Sequence, residues 1–178
     1  MVSDITKLLT SKNISNCSII IGAKGTGKTT MILNKKHNKQ IMLIVTPKSI
    51  NKQIGSDIIM NFENFIKIDE NKLNNFKIVF DDCKHYISHN PNETNTKKII
   101  SLLINSRHAN NEIYLIYHSF TEVNEKIWSK LDNIYLFKTV TSIENTTNVI
   151  PNYKDIFQAE QSLKDKNTHE FEVIKIDI

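Results

Sequence analysis

The sequence predicts an α/β protein, a three-layer αβα sandwich around a mainly parallel sheet, and three observations carry that expectation. Five short runs, at 18–21, 41–45, 76–80, 113–117 and 133–137, are rich in isoleucine, valine or aromatics and are continuous instead of alternating. Continuous runs are what parallel strands buried on both faces require. Stretches with helical character lie between them, which is the alternation that builds βαβ units. Three of the chain's four glycines fall within residues 22–27, directly after the first run, where a strand must turn sharply into a helix.

The first run ends in Gly22-Ala23-Lys24-Gly25-Thr26-Gly27-Lys28-Thr29 and continues through Thr30 into a predicted helix at 28–36. This is an uninterrupted G-x-x-x-x-G-K-T pattern with a strand before it and a helix after it, the setting of a phosphate-binding loop. Such a loop wraps its N–H groups around an anion, and side chains at the glycine positions would block that approach. Lys28 is placed to reach the β- and γ-phosphates and Thr29 to hold Mg²⁺ through its hydroxyl. The helix dipole favours the negative charge. The expected ligand is a nucleoside triphosphate, ATP, contacted along the whole stretch from Gly22 to Thr30. Lys35, Lys36 and Lys39 close this helix, where cations complement its carboxyl end.

The 76–80 run ends in Asp81-Asp82. An acid at this strand tip completes a Mg²⁺ shell, usually through water, and Asp81 takes that role. Asp82, directly after it, is the candidate general base that polarises the attacking water. The 113–117 run ends in His118, the polar tip that senses the γ-phosphate. That role expects its strand to lie between the phosphate-loop strand and the metal-acid strand. Arg107 closes a predicted helix at 94–108, so it sits at the edge of the sheet opposite the nucleotide. It serves either a neighbouring subunit's site, neutralising transition-state charge, or a salt bridge.

The remaining elements are a helix at about 123–131 and one around 57–66 within the less regular stretch 49–75. After Pro151 and Asn152 follow a helix at 153–164 and an alternating strand at 170–177. That last strand extends the sheet's edge or contacts a neighbouring subunit. The expected organisation is an ATPase core at 1–140 and a C-terminal extension at 141–178.

Bulk properties narrow the function classes. A length of 178 residues suits one domain with a substantial core. Cys17 and Cys83 form no disulfide framework and point to a reducing interior. No run approaches the ~20 apolar residues of a membrane span, and no signal peptide opens the chain. The net charge of +4 permits nucleic-acid contact without demanding it. Arg107 is the only arginine, which equips the chain poorly for a nucleoside or nucleotide kinase that clamps two phosphorylated ligands. Only Gly55 lies outside the loop, too little for the second glycine-rich signature of a transporter ATPase. Cys83-x-His85-x₃-His89 has compact zinc-like spacing but lacks a fourth ligand. Lys97 and Lys98 open the 94–108 helix and either face DNA phosphates or solvent.

On these pieces (Gly22–Thr29, the strand ending Asp81-Asp82, Ser106-Arg107-His108 before the 113–117 run, and His118) the chain resembles the FtsK/HerA branch of P-loop ATPases. Within it the likeness is to the small viral and phage genome-packaging ATPases, over about residues 18–137. The resemblance implies a RecA-like core in a homo-oligomeric ring of five or six subunits that hydrolyses ATP to drive double-stranded DNA into a preformed capsid. It implies capsid or portal vertex proteins as partners and a place in the host cytoplasm or the virion. Two residues depart from the pattern: glutamine is typical where His118 stands, and glutamate is frequent at Asp82. The alternative readings are a P-loop kinase and a nucleotide-dependent switch or helicase-loader module.

Overall fold

The computed structural model describes residues 16–34, 41–48, 52–54, 56–90, 92–145 and 150–176. Eight strands form one sheet: β1 (Asn16–Ile21), β2 (Ile41–Thr46), β3 (Lys52–Ile54), β4 (Asp57–Asn61), β5 (Phe76–Phe80), β6 (Glu112–Tyr117), β7 (Asn133–Phe137) and β8 (Phe171–Lys175). Their order is β3-β4-β2-β5-β6-β1-β7-β8. The six inner strands pair in parallel, and only the edge strands β3 and β8 run antiparallel to their neighbours. β6 therefore lies between β1 and β5, the strand order expected from the sequence.

The central strands are buried on both faces, which is why they read as unbroken apolar runs. On one face Ile19, Ile21, Val45, Ile78, Phe80, Leu115 and Leu136 join a large core. It includes helices α3 (Thr94–Asn105) and α5 (Tyr153–Leu163), through Ile99, Leu102, Leu103, Ile156 and Leu163. On the other face Ile20, Met42, Val79, Ile116 and Phe137 pack with Ile32 of helix α1 (Lys28–Asn34). Side chains alternate between the two layers with the two-residue period of the strand. Among the described residues no helix is long and apolar enough to cross a membrane.

Several elements differ from the sequence expectation. Residues 57–66 are not one helix: β4 is followed by a single turn, α2 (Phe62–Phe65). Ile58, Met60, Phe62, Phe65 and Ile66 mimic a helical stripe, but β4 pairs with β2, placing Ile58 beside Leu43, and the Asn61 side chain caps α2 by accepting from the Asn64 N–H at 2.9 Å. α3 stops at Asn105, so Arg107 lies in the turn after it. The expected 123–131 helix is one turn, α4 (Glu125–Trp128), capped by Asn124. The Asn124 amide also donates to the carbonyls of Ser88 and His89, which holds the chain leaving β5. The C-terminal strand extends the sheet's edge, with Phe171 opposite Phe137. Lys35, Lys36, Lys39, Gly55 and the end of the 28–36 helix lie outside the described residues.

Candidate active site

Parallel strands end together at one edge of the sheet, and there the chain places its polar tips. Ile21 is level with Tyr117, and Leu115 with Phe80. Gly22 and His118, the residues after the first pair, therefore emerge side by side. Asp81 leaves the neighbouring strand after Phe80, whose partner Leu115 lies two positions before Tyr117. The loop from Gly22 is anchored across the sheet. The Gly22 N–H donates to the Tyr117 carbonyl and the Ala23 N–H to that of Lys138, at 3.3 and 2.7 Å. Gly22 is required by space, since a Cβ there would lie 2.5 Å from that of Phe137. Gly25 and Gly27 are required by conformation, with φ of +83° and +89°.

Lys24, Gly25, Gly27, Lys28, Thr29 and Thr30 line a cleft of about 500 Å³ together with Asp81, Asp82 and His118. Lys28 is only 6% exposed; its Nζ donates to the carbonyls of Gly22 and Ala23 at 2.6 and 2.8 Å. Burial pushes its ammonium pKa down, and Asp81, Asp82 and Glu122 oppose that shift. Thr26 turns inward: it is buried, and its hydroxyl donates to the Ala23 carbonyl at 2.9 Å, so its side chain stiffens the loop.

Asp81 is fixed through its backbone. Its N–H donates to Val45 O at 2.8 Å, and its carbonyl accepts from the Tyr86 hydroxyl at 2.6 Å. Tyr86 stacks on Phe62 with ring centroids 4.4 Å apart, and Phe65 meets Phe80 edge-on at 5.1 Å. Each such pair adds about 0.5–1.5 kcal/mol beyond burial, so an aromatic cluster braces the acidic turn. Burial first, then the neighbouring Asp82, pushes the Asp81 carboxyl up, while Lys28, His118 and Lys48 pull it down. The Thr29 hydroxyl and the Asp81 carboxylate are hard oxygen donors on one cleft. With phosphate oxygens and water they match the donor set of Mg²⁺.

Asp82 adopts the left-handed conformation (φ 55°, ψ 55°), a costly one for a non-glycine residue. Its Oδ2 lies 3.0 Å from His85 Nε2 and its Oδ1 lies 3.6 Å from His118 Nε2. Oδ1 is buried without a hydrogen-bond partner. His118 Nδ1 is 3.4 Å from Lys28 Nζ. An ammonium only donates, so Nδ1 is the acceptor of that contact. In the neutral ring Nε2 then carries the hydrogen toward Asp82. Glu122 holds His118 in place by accepting from its backbone N–H at 3.0 Å, in a capping box with Ser119.

Arg107 is elsewhere. It precedes β6, whose six residues span about 20 Å, so it lies at the far edge of the sheet from the cleft. Its Nη2 donates to Asp132 Oδ1 at 3.0 Å, and Asp132 Oδ2 accepts from the Cys17 N–H at 2.8 Å. The salt bridge is thus present and ties α3's end to the β1 and β7 starts. The zinc spacing does not assemble: Cys83 is fully buried with its thiol on the Phe80 carbonyl, and His85 is turned to Asp82. Lys98 is committed to the carbonyls of Ile66 and Ile68, whereas Lys97 is exposed.

Sequence reasoning missed Thr46, Pro47 and Lys48, which line the cleft at the tip of β2. They follow an apolar run, and the rule that ligands bind at carboxyl ends of parallel strands would have found them. It also missed Glu122 and His169, and it weighed His85 only as part of a zinc spacing and not as the partner of Asp82. His169 lies against Gly27, 3.2 Å from where a Cβ would sit, and no local sequence signal announces it.

No protein-family model matches the chain, and no curated protein matches it. Solved structures do. The genome packaging NTPase B204 from Sulfolobus turreted icosahedral virus 2, in complex with sulfate, superposes with a TM-score of 0.69 at 15% identity. The match covers 91% of this chain and 92% of that one. Its complex with ATP-γ-S gives 0.64 at 14% identity over 92% and 94%. B204, the DNA-packaging ATPase from Sulfolobus turreted icosahedral virus, gives 0.63 at 16% identity over 92% and 94%. The chain has the α/β fold of these P-loop NTPases.

Proposed function

We propose that the chain is an ATP-hydrolysing enzyme and, within that class, a double-stranded DNA translocase that drives a viral genome into a preformed capsid. The observation that carries the ATPase reading is the convergence of Lys28, Thr29, Asp81, Asp82 and His118 on one cleft at the carboxyl edge of the sheet. The likeness of fold to packaging NTPases over nine-tenths of both chains supports the finer reading.

In this reading the loop N–H groups of 22–30 and Lys28 hold the phosphates. Thr29 and Asp81 would hold Mg²⁺, which when bound neutralises phosphate charge. Asp82 takes a proton from the attacking water as the water oxygen bonds to the γ-phosphorus. The bond to the bridging oxygen breaks, leaving ADP and inorganic phosphate. His118 links Lys28 to Asp82 and so couples phosphate contact to the base. Arg107 is too far to serve its own cleft and acts on a neighbour's, in a homo-oligomeric ring whose partners are DNA and the capsid or portal vertex.

One observation favours a second reading, a slowly turning nucleotide switch: both carboxylate oxygens of Asp82 face histidine rings, and Oδ1 is buried, so the rings compete with an attacking water for this carboxylate. Steady-state ATP hydrolysis, with and without long double-stranded DNA and across protein concentrations, separates the two. Turnover that rises with DNA and steeply with protein fits the motor. Slow turnover indifferent to both refutes it.

A further inference from the structure

We propose that His85 is a positioning residue for hydrolysis: it holds one oxygen of the Asp82 carboxylate from outside the cleft, so that the other oxygen meets the attacking water. The proposal rests on the ATPase reading above and names Oδ1 as the atom of Asp82 that takes the water's proton.

A short acid needs such a hold. A general base acts only within hydrogen-bond reach of the proton it takes, about 2.6–3.2 Å, and an aspartate free to rotate spends little time there. His85 Nε2 lies 3.0 Å from Asp82 Oδ2. An ionised carboxylate only accepts, so Nε2 is the donor of that contact and restrains the carboxylate's rotation. Oδ1 faces the other ring, 3.6 Å from His118 Nε2, and is buried without a hydrogen-bond partner. Asp82 and His118 line the cleft, whereas His85 stands outside that lining with its side chain 52% exposed. His85 therefore takes the oxygen turned from the cleft and leaves its twin unpaired for the water.

His85 is itself held by its turn. The left-handed Asp82 opens the single turn Cys83–His85, and the side chain of residue 85 comes back to that of residue 82. The Cys83 thiol donates to the Phe80 carbonyl at 3.3 Å, and the Ile87 N–H donates to the Cys83 carbonyl at 2.8 Å. Lys84 pairs with Glu122 Oε1 at 3.4 Å, and Oε2 of the same carboxylate accepts from the His118 N–H at 3.0 Å. These contacts close a circuit: His85 to Asp82, on to His118 and Glu122, and back to Lys84, the chain neighbour of His85. The Asp82 carboxylate is thus gripped between the tips of β5 and β6, and losing the His85 bond frees one side of it.

The test is steady-state ATP hydrolysis and calorimetric ATP titration of the full chain, both with Mg²⁺. His85→Ala removes the donor, and His85→Gln keeps an N–H at similar reach. His85→Ala should lower kcat by about 10–100-fold, the order of loss from a misplacement of about 1 Å, with ATP affinity within about twofold of wild type. His85→Gln should restore kcat to within about threefold of wild type. Added to Asp82→Asn, His85→Ala should cost nothing further, because it acts through a base already gone. Unchanged kcat in His85→Ala, equal loss in the alanine and glutamine variants, or a further loss in the double variant overturns the proposal while the ATPase reading stands. A raised kcat overturns it too and makes His85 a restraint. Thermal unfolding identifies an alanine variant that fails to fold, and His85→Phe, a ring without the donor, then takes its place. A wild-type chain that does not hydrolyse ATP overturns the proposal and the ATPase reading together.

Discussion

Replacing Asp82 by asparagine isolates proton transfer from shape. Asn is among the residues that tolerate the left-handed conformation Asp82 holds, so the turn after β5 should keep its form. The stability at risk is that of the pair with His85, whose side chains are 52% and 28% exposed. An ion pair so solvated contributes at most about 1 kcal/mol. Nucleotide binding should survive for a further reason. Asp82 is a like charge that pushes the Asp81 carboxyl up, so its removal leaves Asp81 more readily ionised as a metal ligand.

The chemical step is different. A carboxamide accepts no proton, and a positioned general base contributes roughly 10²–10⁴ in rate. That corresponds to about 3–5 kcal/mol of barrier. Asp82→Asn should therefore lower kcat by about 10²–10⁴ while ATP affinity and thermal unfolding stay near wild type. Phosphate release, ATP titration and a melt measure the three quantities. Hydrolysis within about tenfold of wild type in a folded variant would refute the assignment of Asp82 as base. So would parallel loss of binding.

Other perturbations separate roles in the same way. Arg107→Ala should leave ATP binding intact and cost at most about 1 kcal/mol in stability, because its side chain is 72% exposed. Its hydrolysis should fall, and partial recovery on mixing with Asp82→Asn subunits would show action in trans; unchanged hydrolysis would leave only the Asp132 salt bridge. His118→Gln should retain most hydrolysis and His118→Ala should lose it, whereas equal loss in both would make the ring itself essential. Burial pushes the Cys17 thiol up from 9.0 to about 11. The folded state then keeps this proton longer than the unfolded chain. Its contribution is therefore full below about pH 9 and is lost as pH rises toward about 11, by about 2–3 kcal/mol. Urea unfolding of wild type and Cys17→Ala over that range checks the sign, and identical slopes would sink it.

What was legible in the sequence follows from which constraints are local. Strands buried on both faces have no polar side, so β1, β5, β6 and β7 announced themselves as unbroken runs. Their tips could be named because a parallel sheet brings all carboxyl ends to one edge. β4 could not, since its short apolar run Ile58–Met60 leads into α2 and imitates a helix until β2 supplies a partner at Leu43 and Ile58. His85 reaches Asp82 only because Asp82 is left-handed, a backbone choice with no signature in Asp81-Asp82-Cys83. His169 comes to Gly27 through the pairing of residues 34 apart, Phe137 and Phe171, which composition cannot foretell.

The two departures from the packaging-ATPase pattern become less strange once the geometry is considered together. A glutamine at the β6 tip would present a carbonyl acceptor and an amide donor two bonds apart. A neutral imidazole presents the same pair, Nδ1 and Nε2–H, also separated by one carbon. His118 turns the acceptor to Lys28 and the donor side to Asp82, which is the polarity a carboxamide would offer. The shorter Asp82 belongs to the same adjustment. A stiff ring reaches less far than glutamine's flexible chain. The left-handed turn and the hold of His85 place the Asp82 carboxylate where that ring ends. Each substitution taken singly argues against the resemblance, but in the proposed mechanism the pair keeps His118 between the loop lysine and Asp82.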